Sequence, residues 1–142
     1  MLLFTVPAIA APIGPAGISV QEMANLMSKR GLPAKIGKDS NGVTIISSRV
    51  VEVNFDVYFY ECAKGVCRDI QFAAGWSNNT ATPERINQWN TTKRFVRVYW
   101  KPGDIIWAEM DARISRGTTE NIDEQLALWP QMLIEFKHFM HF

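Results

Sequence analysis

From Val51 to Phe59 the odd positions are Val51, Val53, Phe55, Val57 and Phe59, while Glu52, Asn54, Asp56 and Tyr58 lie between them and Tyr60 and Cys62 continue the even series. Alternation with period two is the mark of an extended strand with one buried face. After Ala63-Lys64-Gly65-Val66 it resumes, with Ile70, Phe72 and Ala74 set against Cys67, Asp69, Gln71 and Ala73. Two such runs around a short Gly-containing segment predict a β-hairpin with Ala63 to Val66 as its loop. If the apolar sets share the core face, Cys62 and Cys67 stand opposite each other on the other face. Facing Cα atoms in an antiparallel pair are ~4.5–5.5 Å apart, inside the ~4.4–6.8 Å that a disulfide spans.

No other cysteine is present. Three readings of the pair are open: a structural disulfide, a reduced pair, and half of a metal site, in that order of expectation. Zinc needs four ligands, and the remaining soft donors are His138 and His141 at the C-terminal end. The Cys-x4-Cys spacing also differs from the Cys-x-x-Cys of redox sites.

A chain of 142 residues suits one domain with one core. Its net charge of +1 comes from scattered, nearly balanced charges, so neither nucleic acid nor an anionic membrane is an expected partner. No apolar run approaches the ~20 residues of a membrane span. The segment from Met1 to Ala11 is apolar and uncharged, and Ala8-Ile9-Ala10 fits a small-x-small cleavage pattern. It reads as the end of a signal peptide without its basic start, or else as a short apolar tail. Because a disulfide wants an export route, the two features together favour a periplasmic or secreted protein, with a cytoplasmic one as the alternative. Residues 1–18 are read as this segment plus a Pro/Gly linker, and residues 19–142 as the folded domain.

Ser19-Val20-Gln21-Glu22 is a capping box that opens a helix carrying Val20, Met23, Ala24 and Met27, which ends at Gly31. Ala34 to Gly37 and Val43 to Ser47 read as a strand pair around Gly37 to Gly42. Thr82-Pro83 caps a second helix with Ile86, Trp89 and Asn90. Phe95 to Trp100 and Ile105 to Asp111 read as a hairpin, with Lys101-Pro102-Gly103-Asp104 as a type II turn. Gly117-Thr118-Thr119 introduces a terminal helix carrying Ile122, Leu126, Trp129, Leu133 and Phe136, which Pro130 is expected to kink or break. The predicted class is α+β: a single antiparallel sheet of about five to six strands, with an N-terminal, a mid-chain and a long C-terminal helix packed on it.

The chemistry-bearing residues form no convincing constellation. His138 and His141 are spaced i, i+3, where solvated histidines at a helix C-terminus are the usual occurrence. Glu52 and Asp56 read as one polar strand face, and Glu109 and Asp111 as another, rather than as an acid–base pair. Asn78-Asn79-Thr80 and Asn90-Thr91-Thr92 are glycosylation sequons that matter only in a eukaryotic secretory route. Asn87 and Asn90 are read as residues that close the helix by bonding backbone groups. Neither a cofactor nor a metal is expected. An exposed face with Tyr58, Tyr60, Tyr99 and Trp107 would instead make a binding surface.

The run Phe55-x-Val57-x-Phe59-x-x-Cys62-x4-Cys67-x-x-Ile70-Gln71-Phe72, then Thr82 to Asn90, Lys93-Arg94-Phe95, and the tail through Leu126 and Trp129, resembles the YbjN family of bacterial sensory transduction regulators. The likeness runs from about Val20 to Phe139. It implies a signal peptide and paired cysteines, as many members carry, and a fold similar to type III secretion chaperones, small proteins that bind other proteins and usually dimerise. The family has no established enzymatic residues to carry over. Val96, at a position that is commonly small, and Pro130 depart from its pattern at places where a partner or second subunit would dock.

The expectation is a non-enzymatic protein-binding or regulatory module of the bacterial envelope, chaperone-like, whose partner is an unknown protein. Its binding surface is drawn from Tyr58, Tyr60, Asn87, Trp89, Asn90, Arg94, Arg97, Trp107 and Trp129. An alternative is a small ligand-binding domain or enzyme with a polar pocket near Asn87, Asn90, Arg94 and Arg97. A homodimer with Trp129 and Phe136 at its seam is compatible with the first reading.

Overall fold

The computed structural model describes residues 10–77, 81–100 and 103–142. The sequon at Asn78 to Thr80, the first two residues of the type II turn and most of the apolar N-terminal segment lie outside them. In chain order the elements are β1 (Ile18–Ser19), α1 (Val20–Lys29), β2 (Lys35–Lys38), β3 (Thr44–Val50), β4 (Val53–Ala63), β5 (Val66–Trp76), α2 (Pro83–Thr92), β6 (Arg97–Tyr99), β7 (Ile106–Arg113) and α3 (Thr119–Met140). Together they form an α+β fold with a seven-stranded antiparallel sheet. Its order is β2-β3-β4-β5-β7-β6, and the short β1 pairs with β5 beyond the end of β7.

Local chemistry places the helices. Ser19 accepts the Glu22 N–H at 3.1 Å, and Glu22 Oε2 accepts the Ser19 N–H at 2.7 Å, closing the expected capping box. Thr82 caps α2 with Pro83 at its start, and Thr118 caps α3 together with Asn121. Pro130 does not break α3, which runs unbroken from Thr119 to Met140. What Pro130 removes is a single bond to the Leu126 carbonyl, and Trp129, Met132 and Leu133 around it are buried. Packing of this apolar stripe outweighs the lost bond.

The alternation of the β4–β5 hairpin sorts its residues as expected. Val53, Phe55 and Val57 of β4 and Ile70, Phe72 and Ala74 of β5 are buried on the helix side. Trp129 of α3 lies against them, 5.9 Å from Phe55 edge-on and 5.6 Å from Phe72 stacked. Trp89 of α2 meets Phe136 at 5.1 Å. Fully burying side chains of this size gives about 1.5–3 kcal/mol each relative to exposure, which makes this layer the main source of stability.

The hairpin loop is tighter than expected. Ala63 pairs with Val66, leaving only Lys64 and Gly65 in the turn, at φ 51° and 80°. Positive φ at both positions marks a type I′ turn. Cys62 then falls directly opposite Cys67, and the two form a disulfide with Cα atoms 3.9 Å apart. Cys62 is exposed, but Cys67 is buried, which the alternation alone did not indicate. The reason is β1, which brings Ile18 beside Cys67. Gly17 sits so close to this strand, at φ +92°, that a Cβ would fall 1.7 Å from the Cys67 carbonyl oxygen.

The segment read as a linker is built into the fold. Ile13 is buried and its N–H bonds the Gly117 carbonyl at 2.8 Å, while Thr119 bonds Ala11 at 2.9 Å.

Candidate functional site

Among the described residues, the three helices leave the second face of the sheet uncovered. One row of residues crosses it through successive pairings: Lys35, Ser47, Asp56, Ala73, Glu109 and Arg97. The next row contains Tyr58, Gln71 and Asp111. Tyr60 and Asp69 follow on β4 and β5, and Trp107 and Tyr99 on β7 and β6. Period two therefore gathers onto this face residues from six strands.

Glu109 is the centre. It is only 9% exposed, although it points away from the helices. Arg97 donates to its Oε2 from Nη2 at 2.6 Å and from Nε at 3.1 Å, and Tyr99 donates its hydroxyl to Oε1 at 2.7 Å. Gln71 donates to Glu109 at 3.3 Å and to Asp111 at 2.8 Å. Asp111 also pairs with Arg97, and the Tyr60 hydroxyl donates to Gln71 at 3.3 Å. A fully partnered buried carboxylate contributes order rather than reactivity. The expectation of a solvated Glu109 is corrected here: long neighbours on the flanking strands fold over it.

Partial burial, reinforced by the hydrogen bond to Glu109, pushes the Tyr99 phenol up to about 12. Burial also raises Tyr58, helped by Asp56, and raises Tyr60, helped by Glu109 and Asp111 against the opposing Arg97. Each phenol stays protonated in the physiological range, and those of Tyr60 and Tyr99 act as neutral donors.

A hollow of about 500 Å³ opens beside this network, lined by Tyr60, Gln71, Arg97, Asp111 and Arg113. Arg113 clamps Asp69 through two bonds, at 2.8 and 3.0 Å. A second depression of about 490 Å³ lies between Lys35, Asp56, Gly75 and Trp107. Gly75 makes room there: a Cβ would sit 2.9 Å from the Ile105 side chain and 3.1 Å from the Trp107 ring, so one of them would have to shift. The missing side chain lets the indole lie across the sheet.

The expected surface residues divide. Tyr58, Tyr60, Arg97 and Trp107 share the open face. Trp89 and Trp129 do not belong to any surface, since both are fully buried, and Phe136 is too, so the proposed dimer seam of Trp129 and Phe136 is unavailable. Nor do Asn87, Asn90, Arg94 and Arg97 converge on one pocket. Asn90 spends its amide on the Val98 backbone, accepting its N–H at 2.9 Å and donating to its carbonyl at 2.8 Å. Asn87 is exposed on α2, and Arg94 lies 4.8 Å from the Phe95 ring. Val96 is buried and so presents nothing to a partner. Gln71 is absent from the expected surface, and Glu109 is expected only as part of a polar strand face; the role of each needs the strand order as well as the alternation.

Residues 19–142 match the family model YbjN, described as "Putative bacterial sensory transduction regulator". The chain belongs to the YbjN family. No curated protein and no solved structure matches it. The YbjN match begins at Ser19, the N-cap of α1, and takes in every strand of the open face. Among the described residues of this YbjN chain, no three His, Cys, Asp or Glu are grouped to hold a metal ion. No helix among them is long and apolar enough to cross a membrane.

Proposed function

We propose that this YbjN chain is a non-enzymatic, chaperone-like regulatory module of the bacterial envelope and that its partner protein seats on the open sheet face. The observation that carries the reading is the tyrosine–arginine–tryptophan cluster organised around buried Glu109. Tyr60 and Tyr99 are each 46% exposed on this face, Tyr99 paired with Trp107 and Tyr60 reaching the same network through Gln71. Aromatic and Arg side chains held rigid before contact supply most of the energy of protein interfaces, because little entropy remains to be lost. The carboxylate that would otherwise serve as a base is engaged by Arg97, Tyr99 and Gln71, which favours binding over catalysis. The disulfide suits an oxidising compartment, as an envelope role requires.

The test places a photoreactive phenylalanine analogue at Tyr60 on the open face or at the exposed Gln131 on α3, in cells of the source type. A discrete protein adduct at position 60, absent at 131 and abolished by Trp107→Asp, is the expected outcome. Equal labelling from both positions, or none from either, overturns the reading. Release of the protein by osmotic shock tests the envelope location separately.

A further inference from the structure

Phe95 combines an exposed aromatic side chain with a strained backbone. Its ring is 57% exposed, yet its backbone lies at φ +73°. The Val96 N–H bonds the Arg94 carbonyl at 2.9 Å, which closes a three-residue γ-turn of the rare, strained hand about Phe95. A non-glycine residue persists there only if its surroundings over-determine it. They do: the buried Trp89 indole donates to the Val96 carbonyl at 2.9 Å, and Asn90 holds both backbone groups of Val98. The chain after the turn is pinned, and the turn throws Phe95 outward. Strain and exposure together point to use of the ring.

The same flank carries a receptor. A shallow hollow of about 500 Å³ is lined by Lys93, Glu135, His138 and Phe139. Lys93 is two residues from Phe95 in the chain and reaches Glu135 at 3.2 Å, so ring and hollow adjoin. Arg94, lying over the Phe95 ring, has no carboxylate partner among the described residues. An outward ring with a cation beside it, next to a hollow floored by Phe139 with a carboxylate on its rim, is self-complementary under a two-fold axis.

We infer that this flank joins two copies of the chain, the Phe95 of each seated in the Lys93–Glu135–His138–Phe139 hollow of the other, with Arg94 reaching the facing Glu135. This interface is separate from the open sheet face and stands or falls independently of the function proposed above. It also differs from a seam through Trp129 and Phe136, which the core occupies.

Sedimentation equilibrium of the full chain tests it. The wild type is expected to dimerise in the micromolar range. Phe95→Gly removes the anchor and relieves the backbone, so dimer affinity should fall about thirtyfold or more while the thermal midpoint stays equal or rises. Arg94→Glu and Glu135→Arg should each weaken the dimer, and the double exchange should restore it in part. A wild type that stays monomeric, a Phe95→Gly dimer as tight as the wild type, or a double exchange no better than either single change would overturn the interface.

Discussion

Glu109 shows how much of a site a single residue's neighbours decide. Alternation along β7 places it correctly on the face away from Ala108 and Met110. Alternation does not say that Arg97 from one flanking strand and Gln71 from the other will bend over it. That requires β7 to lie between β5 and β6, a pairing that chain order does not impose. Two expectations belong at this scale. Glu109→Gln keeps the shape but removes the charge that Arg97 and Tyr99 address, and should cost about 1–3 kcal/mol in urea unfolding with an unchanged slope. The Tyr99 phenol should titrate at about 12 against 10.0 for an ordinary tyrosine. The unfolded chain therefore releases this proton first as pH rises. The stabilising contribution is complete below pH 10.0 and is lost as pH climbs through about 12. Difference spectroscopy of tyrosinate, comparing the wild type with Tyr99→Phe, reads it directly.

Elements were legible where one periodic signal governs them. The Ser19–Glu22 capping box, Pro83 at the start of α2, and the helix–hairpin sequence all follow from local chemistry, which tertiary packing had no reason to override. Misreadings cluster where long-range contacts decide: α3 passes through Pro130 because its stripe is buried, and Pro12 to Gly17 docks because Ile13 finds the core. The β3–β4 turn is another such place. Val51 and Glu52 occupy φ 46° and 64°, a type I′ geometry unkind to a β-branched residue, and Lys137 lies 3.4 Å from the Val51 carbonyl. Val51→Asn with Glu52→Gly should stabilise the protein by about 1 kcal/mol or more, seen as a higher denaturation midpoint. The Cys62–Cys67 staple closes only a very small loop, so Cys62→Ala with Cys67→Ala should cost about 2 kcal/mol and leave partner adducts at Tyr60 intact.

Across the whole molecule the sheet is unequal in its edges. β5 is flanked along its length by β4 on one side and by β7 and β1 on the other, while β2 has β3 alone. Amide exchange should therefore be slowest in β5, where only global unfolding exposes the N–H groups, and fastest among the strands in β2. A uniform exchange pattern across the sheet would contradict that hierarchy. The α+β class and the three-helix layer were readable from the chain because hydrophobic period encodes them. The strand order was not, since α2 carries the chain past the place that β7 later fills. The Asn90 amide on Val98 has one more consequence. With that side chain occupying the outward N–H and C=O of β6, the far rim of the sheet is sealed, and the lysines of β2 repel a like rim. Growth of a continuous sheet from molecule to molecule needs two open rims, so edge contact between these molecules cannot propagate into a fibre.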